Sequence, residues 1–259
     1  MTAGPPSLRD VLALDHVDED LFRAPLVYPD EMALYGGQLA AQALVAAGRT
    51  VGDDRSPHSM HLYYLRGGDA ALPTEYRVLR DRDGRGFSAR RVEVRQDGRM
   101  LATVACSFAV PGDGFDVQPD AAPAVDDLAD LTDYPGPRLF GFESRLARGQ
   151  ESAPWPTRFL SHVVEDLPGD GLTQAAALAH LSDRSSGIGG IDVGTPLVPV
   201  SLDHSVWFHR PVRMSEWVLM DLVPRTLAGG RSWYTGTVHQ AGTHVASLTQ
   251  EILARPRPV

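Results

Sequence analysis

Apolar and polar side chains alternate along Arg91-Val-Glu-Val-Arg95, within a stretch from Phe87 to Gln96 that reads as a strand, as do stretches at about Met60 to Leu65, Thr74 to Asp81 and Met100 to Val110. A strand sends successive side chains to opposite faces, so the pattern predicts an antiparallel sheet with one face on a core. Asp97-Gly98, between the last two stretches, is a hairpin signal, because a tight two-residue turn needs positive φ at both positions. From Gly37 to Ala47 the period changes: Leu39, Ala43, Leu44 and Ala47 fall on one stripe of a helix whose small residues let a sheet wrap it closely. Upstream, residues 1 to 9 read as a loose tail and Val11 to Phe22 as a first strand ending in an acidic turn.

The same order of elements recurs. Short strands are expected around Gly141 to Leu146 and Thr157 to Val164, then a helix from Leu172 to Ser182, then closing strands from Val200 through Leu253. Sliding the chain against itself aligns Arg66 with Arg210, Gly86 with Gly230, Ser88 with Ser232, Gly98 with Gly242 and Ala102 with Ala246, always at a shift of 144 residues. Agreement in spacing and residue type at five positions argues for two fused copies of one unit. The reading is an α+β fold of two tandem units, residues 1–110 and 138–259, each a long helix wrapped by an antiparallel sheet. Residues 111–137, rich in Pro, Asp and Ala, form a mobile or surface-wrapped linker between them.

Charge and composition remove several function classes. The 24 basic residues are all Arg; against 33 acidic residues they leave a net charge of −9, which gives no electrostatic footprint for nucleic acid or an anionic membrane. The one cysteine, Cys106, lies in an apolar run and is expected to be a buried, inert thiol in a reducing compartment. The first residues lack a signal-peptide pattern and no apolar run approaches a membrane span, so a soluble cytoplasmic protein is expected. Neither a Walker loop nor a Gly-x-Gly-x-x-Gly fingerprint occurs, and Gly86-Phe-Ser-Ala-Arg lacks the last glycine of a nucleophile elbow.

Pro199 to Pro211 departs from an ordinary strand. Alternation places Ser201, Asp203, Ser205, Trp207 and His209 on one face and Leu202, His204, Val206, Phe208 and Arg210 on the other, so neither face is cleanly apolar. The same rule sends His58 and His61, and likewise His204 and His209, to opposite faces, so no metal site is indicated. Seven arginines between Arg80 and Arg99, including Arg90 and Arg91, are interleaved with Asp81, Asp83, Glu93 and Asp97 and read as a solvated, mixed-charge hairpin.

Tyr35-Gly-Gly-Gln-Leu-Ala-Ala-Gln-Ala-Leu, His58-Ser-Met-His-Leu-Tyr-Tyr-Leu-Arg, Phe87-Ser-Ala-Arg-Arg-Val, Asp203-His-Ser-Val-Trp-Phe-His-Arg-Pro and Thr249-Gln-Glu together resemble the type II acyl-CoA thioesterases, the TesB-like family. The resemblance implies a double hotdog fold, an acyl-CoA substrate, no cofactor and a homodimer or larger homo-oligomer. It also implies that Asp183, at the end of the second helix, acts with Ser201 and Gln250 to hold the water that attacks the thioester. The shift of 144 puts Pro57 opposite Ser201 and Cys106 opposite Gln250, and aligning the helices through Gln38 and Gln174 puts Ala47 opposite Asp183. One copy then keeps the catalytic groups and the other serves as scaffold. Backbone N–H groups of Gly37 and Gln38, opening the first helix, are candidate oxyanion donors, and His58 is the histidine singled out for substrate binding. Arg-Ser-Ser-Gly-Ile-Gly after Asp183 forms a turn-rich loop, more polar than the apolar run expected from the resemblance. A non-catalytic acyl-CoA or acyl-carrier binding protein on the same scaffold stays open as the alternative.

Overall fold

Fourteen strands join into one antiparallel sheet in the computed structural model, which describes residues 6–256 other than 26–32, 113, 137–138, 154, 186, 189–190, 192–193 and 196. The first half contributes α1 (Leu8–Leu12), β1 (Asp15–Asp18), β2 (Leu21–Ala24), α2 (Gly36–Gly48), β3 (Ser56–Tyr64), β4 (Thr74–Asp83), β5 (Phe87–Gln96) and β6 (Arg99–Ala109). The second contributes β7 (Thr132–Asp133), β8 (Phe142–Leu146), β9 (Arg158–Val163), α3 (Gly171–Ser182), β10 (Leu197–Ser201), β11 (Asp203–Phe208), β12 (Val218–Ala228), β13 (Arg231–Gln240) and β14 (Thr243–Pro256). The order is β1-β2-β4-β5-β6-β3-β11-β14-β13-β12-β9-β8-β7, with β10 continuing along β14. This is the double hotdog: α2 and α3 lie side by side, each wrapped by its own half of the sheet.

The repeat is kept down to its irregularities. In β3·β11, where the halves join, His61 pairs with Ser205, its own counterpart at a shift of 144, so a pseudo-two-fold axis passes between them. Bulges between Arg80 and Arg82 in β4 and between Pro224 and Thr226 in β12 stand at equivalent places, as do those in the β5·β6 and β13·β14 hairpins. An extra residue bends a strand and re-aims its side chains, so shared bulges mean shared curvature around the helices.

α2 is buried nearly all round, with Leu39, Ala40, Ala43 and Leu44 at 2% exposure or less, because sheet covers one side and α3 the other. The two helices run antiparallel. The Tyr35 hydroxyl, at the N-terminus of α2, donates to the His180 carbonyl near the end of α3 at 2.8 Å, while Gly48 at the far end packs against Leu172. Together these contacts set the N-terminus of α2 against the C-terminus of α3.

Two expectations are corrected here, and a third is narrowed. The tail and first strand are instead a capped helix and a hairpin: Ser7 caps α1, Glu165 accepts from the backbone of Leu8 and Arg9, and Leu8 and Val11 are fully buried. Burial of those two side chains and a long-range carboxylate cap outweigh the polar start of the chain. The linker is surface-wrapped: Gln118 bonds both Gly242 O and His244 N–H, Asp116 pairs with Arg210, and Leu131 packs on Leu160 and Leu219. Arg90 is not solvated; its side chain is 1% exposed and all five of its N–H donors find acceptors, on Thr50, Arg82, Ala89 and Asp83. Arg91 remains outside and pairs with Asp81. Cys106 is buried, and burial pushes its thiol up to about 12.

Candidate active site

Asp183 caps the C-terminus of α3, and its carboxylate meets groups from three other elements. The Gln250 amide, on the inward face of β14, donates to Asp183 Oδ1 at 2.6 Å, and the Ser201 hydroxyl, at the end of β10, donates to the same oxygen at 3.1 Å. The Gly37 N–H in the first turn of α2 also bonds the carboxylate. The antiparallel helices explain this last contact, since the N-terminus of α2 aims unpaired amides at whatever ends α3. Burial pushes the Asp183 carboxyl up to about 6, and the bonds from Gln250, Ser201 and Gly37 pull against that rise.

Ser201 reaches Asp183 only because the strand is broken. In the register of Ser205↔Thr249, Ser201 would oppose Leu253, yet it opposes Ile252, so Leu202 is an extra residue. The slip turns Ser201 to the inward face with His204 and Val206, not the outer face with Asp203 and Ser205 that alternation predicts. His58 is the equivalent extra residue in β3, between Pro57 and Ser59. It therefore lies exposed on the outer face against Phe87, at 5.7 Å between ring centroids, on the same side as His61 and apart from Asp183. Among the described residues no group of three or more His, Cys, Asp or Glu is placed to hold a metal ion.

Two supporting groups were not legible beforehand. Tyr234 on β13 lies opposite Gln250, and its hydroxyl bonds Gln250 Oε1, which fixes the amide so that Nε2 faces Asp183. Counting register from the Ala241-Gly242 turn would pair Tyr234 with Thr249; the bulge between Val238 and His239 shifts it by one. His204, inward on β11, is the second. Ser182 Oγ donates to Ala179 O and so accepts from His204 Nε2 at 2.7 Å, tying the end of α3 to the sheet beside Asp183. Burial holds His204 neutral, down at about 3.

The family models for the acyl-CoA thioesterase N-terminal and C-terminal domains match residues 25–109 and 119–254. The chain belongs to the acyl-CoA thioesterase family. Human acyl-coenzyme A thioesterase 8 is 30% identical over 96% of this chain and 88% of its own length, and acyl-CoA thioesterase 2 of Haemophilus influenzae is 29% identical over 96% and 97%. Among solved structures, acyl-CoA thioesterase II TesB2 from Mycobacterium marinum superposes with a TM-score of 0.82 at 31% identity, covering 96% of this chain and 97% of that one. A hot dog fold protein from Alicyclobacillus acidocaldarius, 20% identical with a TM-score of 0.80 over 96% and 98% of the two chains, shares the fold.

Within this thioesterase-family chain the second pseudo-symmetric position holds no trio. Arg90 stands where Tyr234 stands in the other half, opposite Cys106 as Tyr234 is opposite Gln250, and its guanidinium bonds Thr50 just past the end of α2. The glycines at the working position are tightly constrained. A Cβ on Gly37 would run into the His180 carbonyl oxygen and the Tyr35 ring. Gly37→Ala is accordingly expected to cost about 1–3 kcal/mol through displaced packing of the two helices, read as a lowered urea midpoint. Of the turn-rich loop after Asp183, Ser186, Gly189 and Gly190 lie outside the described residues; Ser185 and Ile188 are buried, and the Ser185 carbonyl lies 3.0 Å from the Tyr234 hydroxyl.

Proposed function

We propose that the chain hydrolyses fatty acyl-CoA to free fatty acid and CoA, using a water activated by Asp183 with Ser201 and Gln250. The observation that carries this reading is the convergence of both donors on Oδ1 of one buried carboxylate. Its other oxygen, Oδ2, is thereby turned toward Gly36. Asp183 takes a proton from the water as the water oxygen bonds to the thioester carbonyl carbon, and negative charge passes to the carbonyl oxygen. The tetrahedral species then collapses, the carbon–sulfur bond breaks, and the departing thiolate takes the proton from Asp183. No covalent enzyme intermediate is required.

The test is thiol release from short, medium and long acyl-CoA esters. Release supports hydrolysis and ranks chain length; binding without release from any ester would favour the acyl-thioester binding protein. Asp183 must be ionised to accept a proton, so kcat should fall about tenfold per pH unit below about 6 and level off above it. A rate independent of pH from 5 to 8 would remove Asp183 as the base.

The same reading carries a cytoplasmic setting and a homodimer or larger homo-oligomer. Support for the first is the free, buried Cys106; for the second, the exposed Tyr63 and Phe87 on the outer face of the sheet. No described helix is long and apolar enough to cross a membrane.

A further inference from the structure

Charge that builds on the thioester carbonyl oxygen needs a donor aimed at it. The helix-terminal amides singled out from the sequence are engaged elsewhere: Gly37 N–H bonds Asp183, and the N–H groups of Gln38 and Leu39 both bond the Tyr35 carbonyl. A different donor stands beside the carboxylate. Tyr64 is the last residue of β3 and lies on its inward face, in step with Met60 and Leu62. Its hydroxyl oxygen is buried and makes no hydrogen bond among the described residues. Buried hydroxyls are rarely left unpaired, so this one calls for a partner.

Position makes the case specific. The point that a Cβ on Gly36 would occupy lies 2.5 Å from Asp183 Oδ2 and 2.9 Å from the Tyr64 hydroxyl. Oδ2 of the base and the unspent phenol thus converge beside one glycine, while Ser201 and Gln250 bond the other oxygen, Oδ1. Burial, and then the negative charge of Asp183, hold the Tyr64 phenol well above its ordinary pKa, so it keeps its proton. Pseudo-symmetry supplies an independent comparison. At a shift of 144, Tyr64 corresponds to Phe208, so the hydroxyl is present only at the position where the trio is present.

We propose that Tyr64 is the oxyanion donor, its O–H bonding the thioester carbonyl oxygen and strengthening as negative charge develops there. The inference rests on Asp183 being the base. It changes the division of labour between the halves: the first unit supplies a catalytic group to the trio of the second, across the β3·β11 junction.

Tyr64→Phe keeps the ring and removes the donor. We expect kcat for acyl-CoA hydrolysis to fall about 10²-fold or more, with KM within a few-fold of wild type and an unchanged or raised thermal midpoint. Affinity for two non-hydrolysable CoA analogues separates this from a structural effect. A ketone analogue, with CH2 for sulfur and the carbonyl retained, should bind the variant about tenfold more weakly. A thioether analogue, with CH2 for the carbonyl, should bind both proteins equally. A kcat within threefold of wild type, or equal loss of affinity for both analogues, would overturn the proposal. Asp183→Asn is run alongside: if it alone loses activity, Tyr64 is eliminated and the base stands; if it keeps activity, the trio itself is wrong, whatever Tyr64→Phe does.

Discussion

Asp183→Asn lowers kcat for acyl-CoA thioesters by about 10²- to 10⁴-fold, the usual contribution of a positioned general base, and leaves the protein folded. Asparagine keeps the shape and an oxygen that accepts from Gln250 and Ser201, but it takes no proton at neutral pH. The variant should also be more stable than wild type at pH 8. The native carboxyl, at about 6, lies above the ordinary carboxylate value of 3.8. As pH rises between those values the unfolded chain releases its proton while the native chain retains it, so stability falls and stays lower above about pH 6. Asparagine escapes that loss, a gain of about 3 kcal/mol at pH 8 that vanishes below about pH 4. Urea unfolding at pH 8 and pH 3.5 reads the difference. A variant equally stable or less stable than wild type at pH 8 would show that the native site does not burden the carboxylate.

Arg90→Met costs about 3–5 kcal/mol of stability and leaves kcat per folded molecule unchanged. The guanidinium satisfies Thr50 Oγ1, three backbone carbonyls and Asp83 from within the core. Each buried acceptor left without a donor costs about 1–3 kcal/mol, and methionine supplies none. The ion pair itself matters less, because Asp83 is half exposed and its partner charge is largely shared with solvent. A loss below about 1 kcal/mol would mean that water enters and replaces the guanidinium. Retained turnover follows from Arg90 occupying the half of the molecule that lacks the trio.

The two variants probe opposite ends of one symmetric plan. Each half builds a helix end, a bulged strand and a bulged hairpin around a central position. In one half that position carries Asp183, Ser201 and Gln250; in the other, Pro57 and Cys106 take the places of Ser201 and Gln250, α2 ends on Arg49, and Arg90 bonds Thr50 just beyond it. The duplicated plan supplies the geometry twice, and the proposed trio stands in one copy.

Much of this was written in the chain. Strand-like runs between Gly-marked turns placed β4, β5 and β6 within a few residues, because hairpin turns leave a local mark in the sequence. Stripes of small apolar residues located α2 and α3, and the shift of 144 disclosed the duplication. Asp183, Ser201 and Gln250 were legible from motif resemblance. What tertiary structure decided is which way those side chains point and what they meet. One extra residue at Leu202 turns Ser201 inward, and one at His58 turns that histidine out; a bulge depends on the partner strand and leaves no mark in the period of its own. The burial of Arg90, the docking of α1 on Glu165 and the approach of Tyr64 to Asp183 all join residues far apart in sequence. They depend on how the two halves close on each other, which no local pattern encodes.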